Sequence, residues 1–205
     1  MWLESRLDRT DRSFCSVEIT PLHGTSPEEI FGTFRNHLND LLHHTITEAP
    51  LVQLITADRA SLEFRQGGDS VAVKVGRGYY LFLSQTLEAK KIKAKEYRLR
   101  TLAYAYRIGF GPRREDEWFV RWEYNSREHI DALHPRHHCH LAAAAHCGGK
   151  EFSLEKLHIA SGWVTIEEVI RFLIYELKVR PKSADWDARL QASEELFRKW
   201  TARSL

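Results

Sequence analysis

Two hydrophobic periods divide the chain. Near its start Ile30, Phe31, Phe34, Leu38, Leu41 and Leu42 recur three and four residues apart, the spacing of one helical face. Ser26-Pro27-Glu28-Glu29 stands just before them. Serine at the cap, proline in the first turn and glutamate three residues after the serine make a capping box, so a helix is predicted to start there and end near His44. Ahead of it, residues 14–20 (FCSVEIT) alternate apolar and polar and predict a first strand. Across residues 51–143 the period falls to two. Runs at 51–56, 61–65, 71–75 and 79–85 read as short strands, separated by the turn residues Asp58-Arg59, Gly67-Gly68-Asp69 and Gly76-Arg77-Gly78.

A charged interval at 88–95 (EAKKIKAK) is expected to interrupt these strands, and two longer ones follow. Residues 95–110 place Arg98, Arg100, Leu102, Tyr104 and Tyr106 on one face and Tyr97, Leu99, Thr101, Ala103 and Ala105 on the other. Residues 117–125 set Trp118, Val120, Trp122 and Tyr124 against Phe119, Arg121 and Glu123, after a polar hairpin loop at 109–116. Residues 138–143 suggest a further strand. The helical period then returns. Thr165 to Glu168 is a second capping box, Val169, Ile170, Leu173, Ile174 and Leu177 form its stripe, and Arg180-Pro181 stops it before a last amphipathic helix over 185–203. The expected fold is one α+β domain spanning 1–205. An antiparallel β-meander (about 51–143) carries an N-terminal helix and two C-terminal helices (about 164–203) on one face.

Composition narrows the class. With 205 residues, 43% hydrophobic and 28% charged, the chain has ordinary globular usage and length enough for a substantial core. A net charge of +2 is too balanced for a protein that coats nucleic acid indiscriminately. Cys15, Cys139 and Cys147 form no disulfide framework, and the longest apolar stretch, 164–179, is broken by Glu167, Glu168, Arg171, Glu176 and Lys178. Both features point to a cytoplasmic protein with no membrane partner.

The chemistry concentrates in one segment. His129, His134, His137, His138, His140 and His146 fall within eighteen residues, with Cys139 and Cys147 among them. If 138–140 is extended, His138 and His140 project from one face, about 6–7 Å apart. Two chemistries suit them. In the first no cofactor is needed: His137, His138 and His140 serve as acid and base and Arg121 as the cation in RNA cleavage by the RNA's own 2′-hydroxyl. In the second, zinc stabilises a structural domain, held by His138 and His140, with His134 or His137 as a third ligand and Cys147 or His146 as a fourth. Arg98, Arg100, Arg136, Lys91 and Lys93 are candidate nucleic-acid contacts, or a solvated face. His158, before the Ser161-Gly162-Trp163 turn, reads as a structural hydrogen-bonding residue.

The stretch from Tyr97 to Leu141 resembles the TumE-type toxin family of bacterial toxin–antitoxin modules. The residues concerned are Tyr97, Tyr104 and Tyr106 on a long strand, the strand end Arg121-Trp122-Glu123-Tyr124-Asn125, and the His134-Pro135-Arg136-His137-His138-Cys139-His140-Leu141 turn and strand. The resemblance implies a compact bacterial toxin directed at RNA or translation, with Arg121 and Asn125 as carried-over positions and a cognate antitoxin as partner. The other class of reading is a non-catalytic assembly module that uses its tryptophans and helices as the partner surface.

Overall fold

The computed structural model describes residues 23–126, 135–147 and 149–201; the strand expected at 14–20 lies outside them. In chain order the elements are β1 (His23–Gly24), α1 (Pro27–Thr45), β2 (Val52–Thr56), β3 (Arg59–Glu63), β4 (Arg65–Gln66), β5 (Asp69–Ser70), β6 (Val73–Gly76), β7 (Tyr79–Lys93), β8 (Glu96–Gly109), β9 (Trp118–Asn125), β10 (His137–Leu141), β11 (Ala144–Cys147), β12 (Lys150–Ser153), β13 (Ile159–Ala160), α2 (Ile166–Tyr175) and α3 (Trp186–Thr201). Among the described residues nine strands form one sheet, ordered β13-β10-β9-β8-β7-β3-β2, with β1 also paired to β8 and β6 to β7. Every pairing is antiparallel. This is the expected α+β meander with its N-terminal helix and two C-terminal helices.

The helix starts follow from their caps. Thr165 Oγ1 accepts the Glu168 N–H at 3.3 Å while Glu168 returns a carboxylate to the Thr165 N–H at 2.7 Å, a complete box. At α1, Ser26 Oγ accepts the Glu29 N–H at 3.2 Å, but the Glu29 carboxylate reaches one residue further back, to the N–H and hydroxyl of Thr25. The apolar stripes of α1 and α2 are buried against one sheet face, where Leu81, Leu83 and Leu87 of β7 and Tyr104, Tyr106 and Ile108 of β8 meet Ile30, Phe31, Val169, Ile170 and Leu173. The expected stop at Pro181 comes earlier: α2 ends at Tyr175, and Lys178 takes a left-handed φ of 56°.

The sheet differs from the expected one in ways that each have a local cause. The charged interval 88–95 does not interrupt it. β7 runs unbroken to Lys93, and the chain reverses at Ala94 and Lys95, where Lys95 takes φ 58°. A bulge in β8 at Leu102 then shifts the register between Thr86 and Leu87. Tyr97, Leu99 and Thr101 therefore share the helix-covered face with Tyr104 and Tyr106, while Arg98 and Arg100 join Ala103 and Ala105 on the opposite face. A second bulge, between Ile108 and Gly109, puts Phe119 against Phe172 of α2, with ring centroids 6.2 Å apart. Trp118 turns to the opposite face, 5.3 Å from the Arg121 guanidinium.

The three helices are clasped by polar groups as well as by the core. Ser193 of α3 donates to the Glu167 carboxylate of α2 and lies 2.8 Å from His37 Nε2 of α1. Glu167 is 3% exposed, and burial pushes its carboxyl above the usual range. Burial, partly opposed by Asp40, holds the His37 imidazole below its ordinary value.

Two outcomes follow. Phe31→Ala removes a fully buried ring and should cost about 3–5 kcal/mol in urea unfolding. Because the His37 pKa is depressed in the folded state, the unfolded chain takes up that proton first. The stability contributed by neutral His37 is thus present above the ordinary histidine value and is lost as pH falls from about 7 toward 5. Glu167, whose carboxyl is raised, has the opposite sign, so the wild type alone mixes the two effects. The stability difference between wild type and His37→Asn, from urea unfolding at successive pH values, should shrink on acidification; a constant difference would rule out this linkage.

Candidate metal centre

The site is built by strand register. In β10, His138 lies opposite Glu123 and His140 opposite Arg121 of β9. On its other edge β10 pairs with β13, His138 opposite Ala160 and Cys139 opposite Ile159. One more antiparallel step brings His158 opposite His140. His138, His140, His158, Glu123 and Arg121 therefore share the face that the helices leave uncovered. The intervening residues take the other side: His137 stacks on Tyr124 at 4.4 Å between centroids, and its ring lies 5.4 Å from Trp163. Leu141 packs against the core.

His138 and His140 are 5% and 4% exposed although they lie on the uncovered face. The chain between β10 and β13 folds back over them. Ala142 N–H bonds to Phe119 carbonyl at 3.0 Å, Leu154 N–H bonds to Ala143 carbonyl at 2.8 Å, and a single 3-10 turn at Leu154–Lys156 brings the Glu155 carbonyl 3.0 Å from His140 Nδ1. Pro135, preceding β10, brings its carbonyl 2.8 Å from His138 Nδ1.

These carbonyls fix the chemistry. A carbonyl only accepts, so Nδ1 of each ring carries the proton, and in the neutral imidazole Nε2 then carries the lone pair. Both Nε2 atoms point at one place: each is 3.6 Å from Glu123 Oε2. One ring nitrogen from each of His138, His140 and His158 lies within 4.8 Å of the others. Burial holds the His140 imidazole below its ordinary value, with Arg121 adding to the effect. Zinc–nitrogen bonds of about 2.0–2.1 Å in tetrahedral geometry place ligand nitrogens about 3.4 Å apart. An approach of at most about 1.4 Å between the nitrogens would thus close the three rings on an ion. Backbone carbonyls on Nδ1 are the usual means of orienting metal-bound histidines.

Arg121 borders the cluster, its Nε 3.3 Å from Glu123 Oε2 and its side chain against Trp118. Among the described residues its two terminal nitrogens take no hydrogen bond. The Glu123 side chain remains 31% exposed. Beside it opens a cleft of about 240 Å³, floored by Ser84, Thr86, Ala103 and Ala105 and bordered by Glu123, Asn125 and His138. The side chain of Tyr104 reaches the opposite face, where its hydroxyl accepts the Val164 N–H at 2.9 Å; burial pushes it up to about 12.

The sequence-based candidates are therefore divided. His138, His140 and Arg121 come together. His137 is on the other side of the same strand, which separates the expected His137, His138 and His140 trio. Cys139 also faces that side, and burial pushes its thiol up. Cys147 ends β11 opposite Lys150, and its side chain lies outside the described part, as do His129 and His134. His146 is exposed, 3.7 Å from Glu151. Arg136 is exposed beside the site, and its carbonyl accepts the Asn125 N–H at 3.4 Å. Arg98 and Arg100 share the site's face further along β8, Lys93 pairs with Glu96 at the hairpin end, and Lys91 pairs with Tyr97. Sequence reasoning missed Glu123 and His158. The period-two placement of Glu123 with Arg121 was available as a signal; the opposition of His158 to His140 needs the β10–β13 pairing.

Comparison with protein-family models, with characterised proteins and with solved structures finds no match. The resemblance to the TumE-type toxins thus rests on the residues quoted for it alone.

The division of β10 has a measurable consequence. His137→Ala removes a ring stacked among Tyr124, Tyr104 and Trp163 and should cost about 1–2 kcal/mol of stability in urea. A loss of that size with the His138, His140 and His158 chemistry intact would place His137 in the core. An unchanged unfolding midpoint would contradict the packing.

Proposed function

We propose that the protein is a metal-dependent hydrolase. Its ion is a divalent cation of the zinc class, held by His138, His140 and His158, with Glu123 beside a fourth position left open for water. One observation carries the reading. The Nδ1 atoms of His138 and His140 are spent on backbone carbonyls, so their Nε2 lone pairs converge on a carboxylate in a buried setting. Two lone pairs facing a carboxylate repel one another, and a cation between them turns the repulsion into ligation. The metal-free RNA-cleaving alternative asks for His137 in the same site, and the strand turns His137 away. The zinc alternative with Cys147 is replaced by one with His158.

The open side supports catalysis over a purely structural ion, because structural zinc sites close all four positions with protein atoms. Here the Glu123 side is partly exposed and borders the cleft. A zinc-class ion lowers the pKa of a bound water to about 7. Glu123 then stands within reach of that water's proton, and the free guanidinium nitrogens of Arg121 stand where an anionic substrate group would be received.

The test is metal content. Protein purified without a histidine tag and dialysed against zinc should hold about one ion per chain, and His158→Ala and His138→Ala should each reduce this to background. Chelator should lower the melting temperature of the wild type and leave that of His158→Ala unchanged. Substitution with cobalt should give the visible bands of a four- or five-coordinate nitrogen and oxygen site. Clearly substoichiometric zinc at saturating concentration would remove the metal, and with it the hydrolase.

A further inference from the structure

The uncovered sheet face continues beyond the metal centre, and its residues describe what the cleft receives. From the Glu123 row the floor passes along the β7–β8 pair through Ser84 and Ala105, then Thr86 and Ala103, all small. It then reaches Glu88 opposite Arg100 and Lys90 opposite Arg98. Glu88 and Lys90 share the face by the alternation of β7, and Arg98 and Arg100 only because of the Leu102 bulge. From the Ser84 row to the Lys90 row is six residues of β7, about 20 Å at ~3.3 Å per residue. That is a track for an extended chain rather than a pocket for one small molecule.

The charges along this track are unequal in their commitments. Glu63, opposite Ser84, is already held by Arg65 and Ser70. Glu88 is shared with Arg100 at 3.7 Å. Among the described residues Lys90 and Arg98 have no carboxylate partner, and the terminal nitrogens of Arg121 are free at the other end. The charge left for a ligand is positive at both ends of a floor of hydroxyls and methyl groups. The floor between the two charged ends presents the short side chains of Ser84, Thr86, Ala103 and Ala105. The rings of Phe82 and Trp118 on this face stand at the Arg121 end, so a ligand crossing the floor is held there through its backbone.

Resting on the metal-site reading, we infer that the substrate is a single-stranded nucleic acid. It is bound by its phosphates along β7 and β8, from Lys90 and Arg98 to Arg121, with one phosphodiester delivered to the ion. In the step so assigned a water oxygen bonds to phosphorus and the phosphorus bond to the leaving oxygen breaks. The water's proton passes to Glu123, the leaving oxygen takes a proton from solvent water, and Glu123 then returns its proton to solvent. The products are a phosphomonoester and an alcohol, and no oxidant or second substrate is required.

The experiment is fluorescence anisotropy with a labelled twelve-nucleotide oligouridylate across a salt series. It compares wild type, a Lys90→Gln/Arg98→Gln double variant and His158→Ala, with zinc content measured on each. The wild type should bind, with log Kd changing linearly in log salt. The double variant should bind at least tenfold more weakly, and its salt slope should be smaller by about 1.4, the value for two lost phosphate contacts on a single strand. Its zinc content should match the wild type, and its circular dichroism should show that it is folded. His158→Ala should lose zinc and keep most of its binding, because the track lies outside the ligands. Absence of binding at low salt, or binding that the double variant leaves unchanged, overturns the nucleic-acid track while normal zinc content leaves the metal site standing. Zinc absent from a wild type that still binds RNA overturns the metal reading alone. Tighter binding of a labelled acidic peptide than of the oligouridylate would assign the face to a protein partner instead.

Discussion

The hydrogen bonding of β10 between β9 and β13 is the constraint from which the rest of the site follows. A strand paired on both edges cannot rotate about its axis, and successive side chains must leave it on opposite faces. Five residues of β10 are held this way to β9, and two of them also to β13. Histidine at 137, 138 and 140 is thereby assigned without further choice: the first to the helix-covered side, the other two to the cleft side. A slip of one residue would exchange the faces, putting His138 and His140 among the aromatic rings and His137, Cys139 and Leu141 beside Glu123. The stacking of His137 on Tyr124 and the packing of Leu141 on the core both oppose such a slip, so hydrophobic burial on one face sets the geometry of polar groups on the other.

The helical layer is what makes that burial one-sided. α1 and α2 cover the face carrying Leu81, Leu83, Tyr106 and Ile108, and the His37–Ser193–Glu167 clasp ties α3 to both. With one face dry, the other can carry Ser84, Thr86, Ala103 and Ala105, small residues that would leave voids in a core. The return of the chain through β11, β12 and the 3-10 turn then covers only the β10 end of this face. It buries two imidazoles and leaves the β7–β8 floor open. A single antiparallel sheet with helices on one side thus divides its labour, and the division runs through individual strands.

How much of this was legible in the sequence depends on the range of the interaction concerned. The capping residues Ser26 and Thr165 and the stripes of α1 and α2 act within a few residues, so the helices could be read directly. The antiparallel meander was legible from alternation and turn residues for the same reason. The bulges were not. The extra residue at Leu102 is defined by its partners on β7, and the one at Phe119 by Gly109 on β8, so faces read by strict alternation reversed beyond each. Charged residues at 88–95 looked like a break because a half-exposed hairpin end carries the same composition as a loop. The pairing of His138 with His140 needed only a period of two. His158 needed knowledge that β13 returns beside β10, a tertiary fact with no local signature.

The energetic sense of the cluster comes from counting its protons. Burying an imidazole is tolerable when both nitrogens are satisfied, and His138 and His140 each satisfy one with a backbone carbonyl. The remaining lone pairs face Glu123, and a carboxylate has no proton to give when ionised. Three arrangements could relieve this. Protonating Glu123 would supply one hydrogen for two acceptors. Protonating both rings would place two cations about 5 Å apart beside Arg121, against the burial that already lowers His140. The proposed divalent cation would serve both lone pairs and the third ring at once, with Glu123 beside it to take a proton from its bound water, and its charge would offset the proximity of the guanidinium. The first two arrangements leave an acceptor unpaired or stack like charges; the third leaves neither, and it is the one for which the two carbonyl-anchored rings are already oriented.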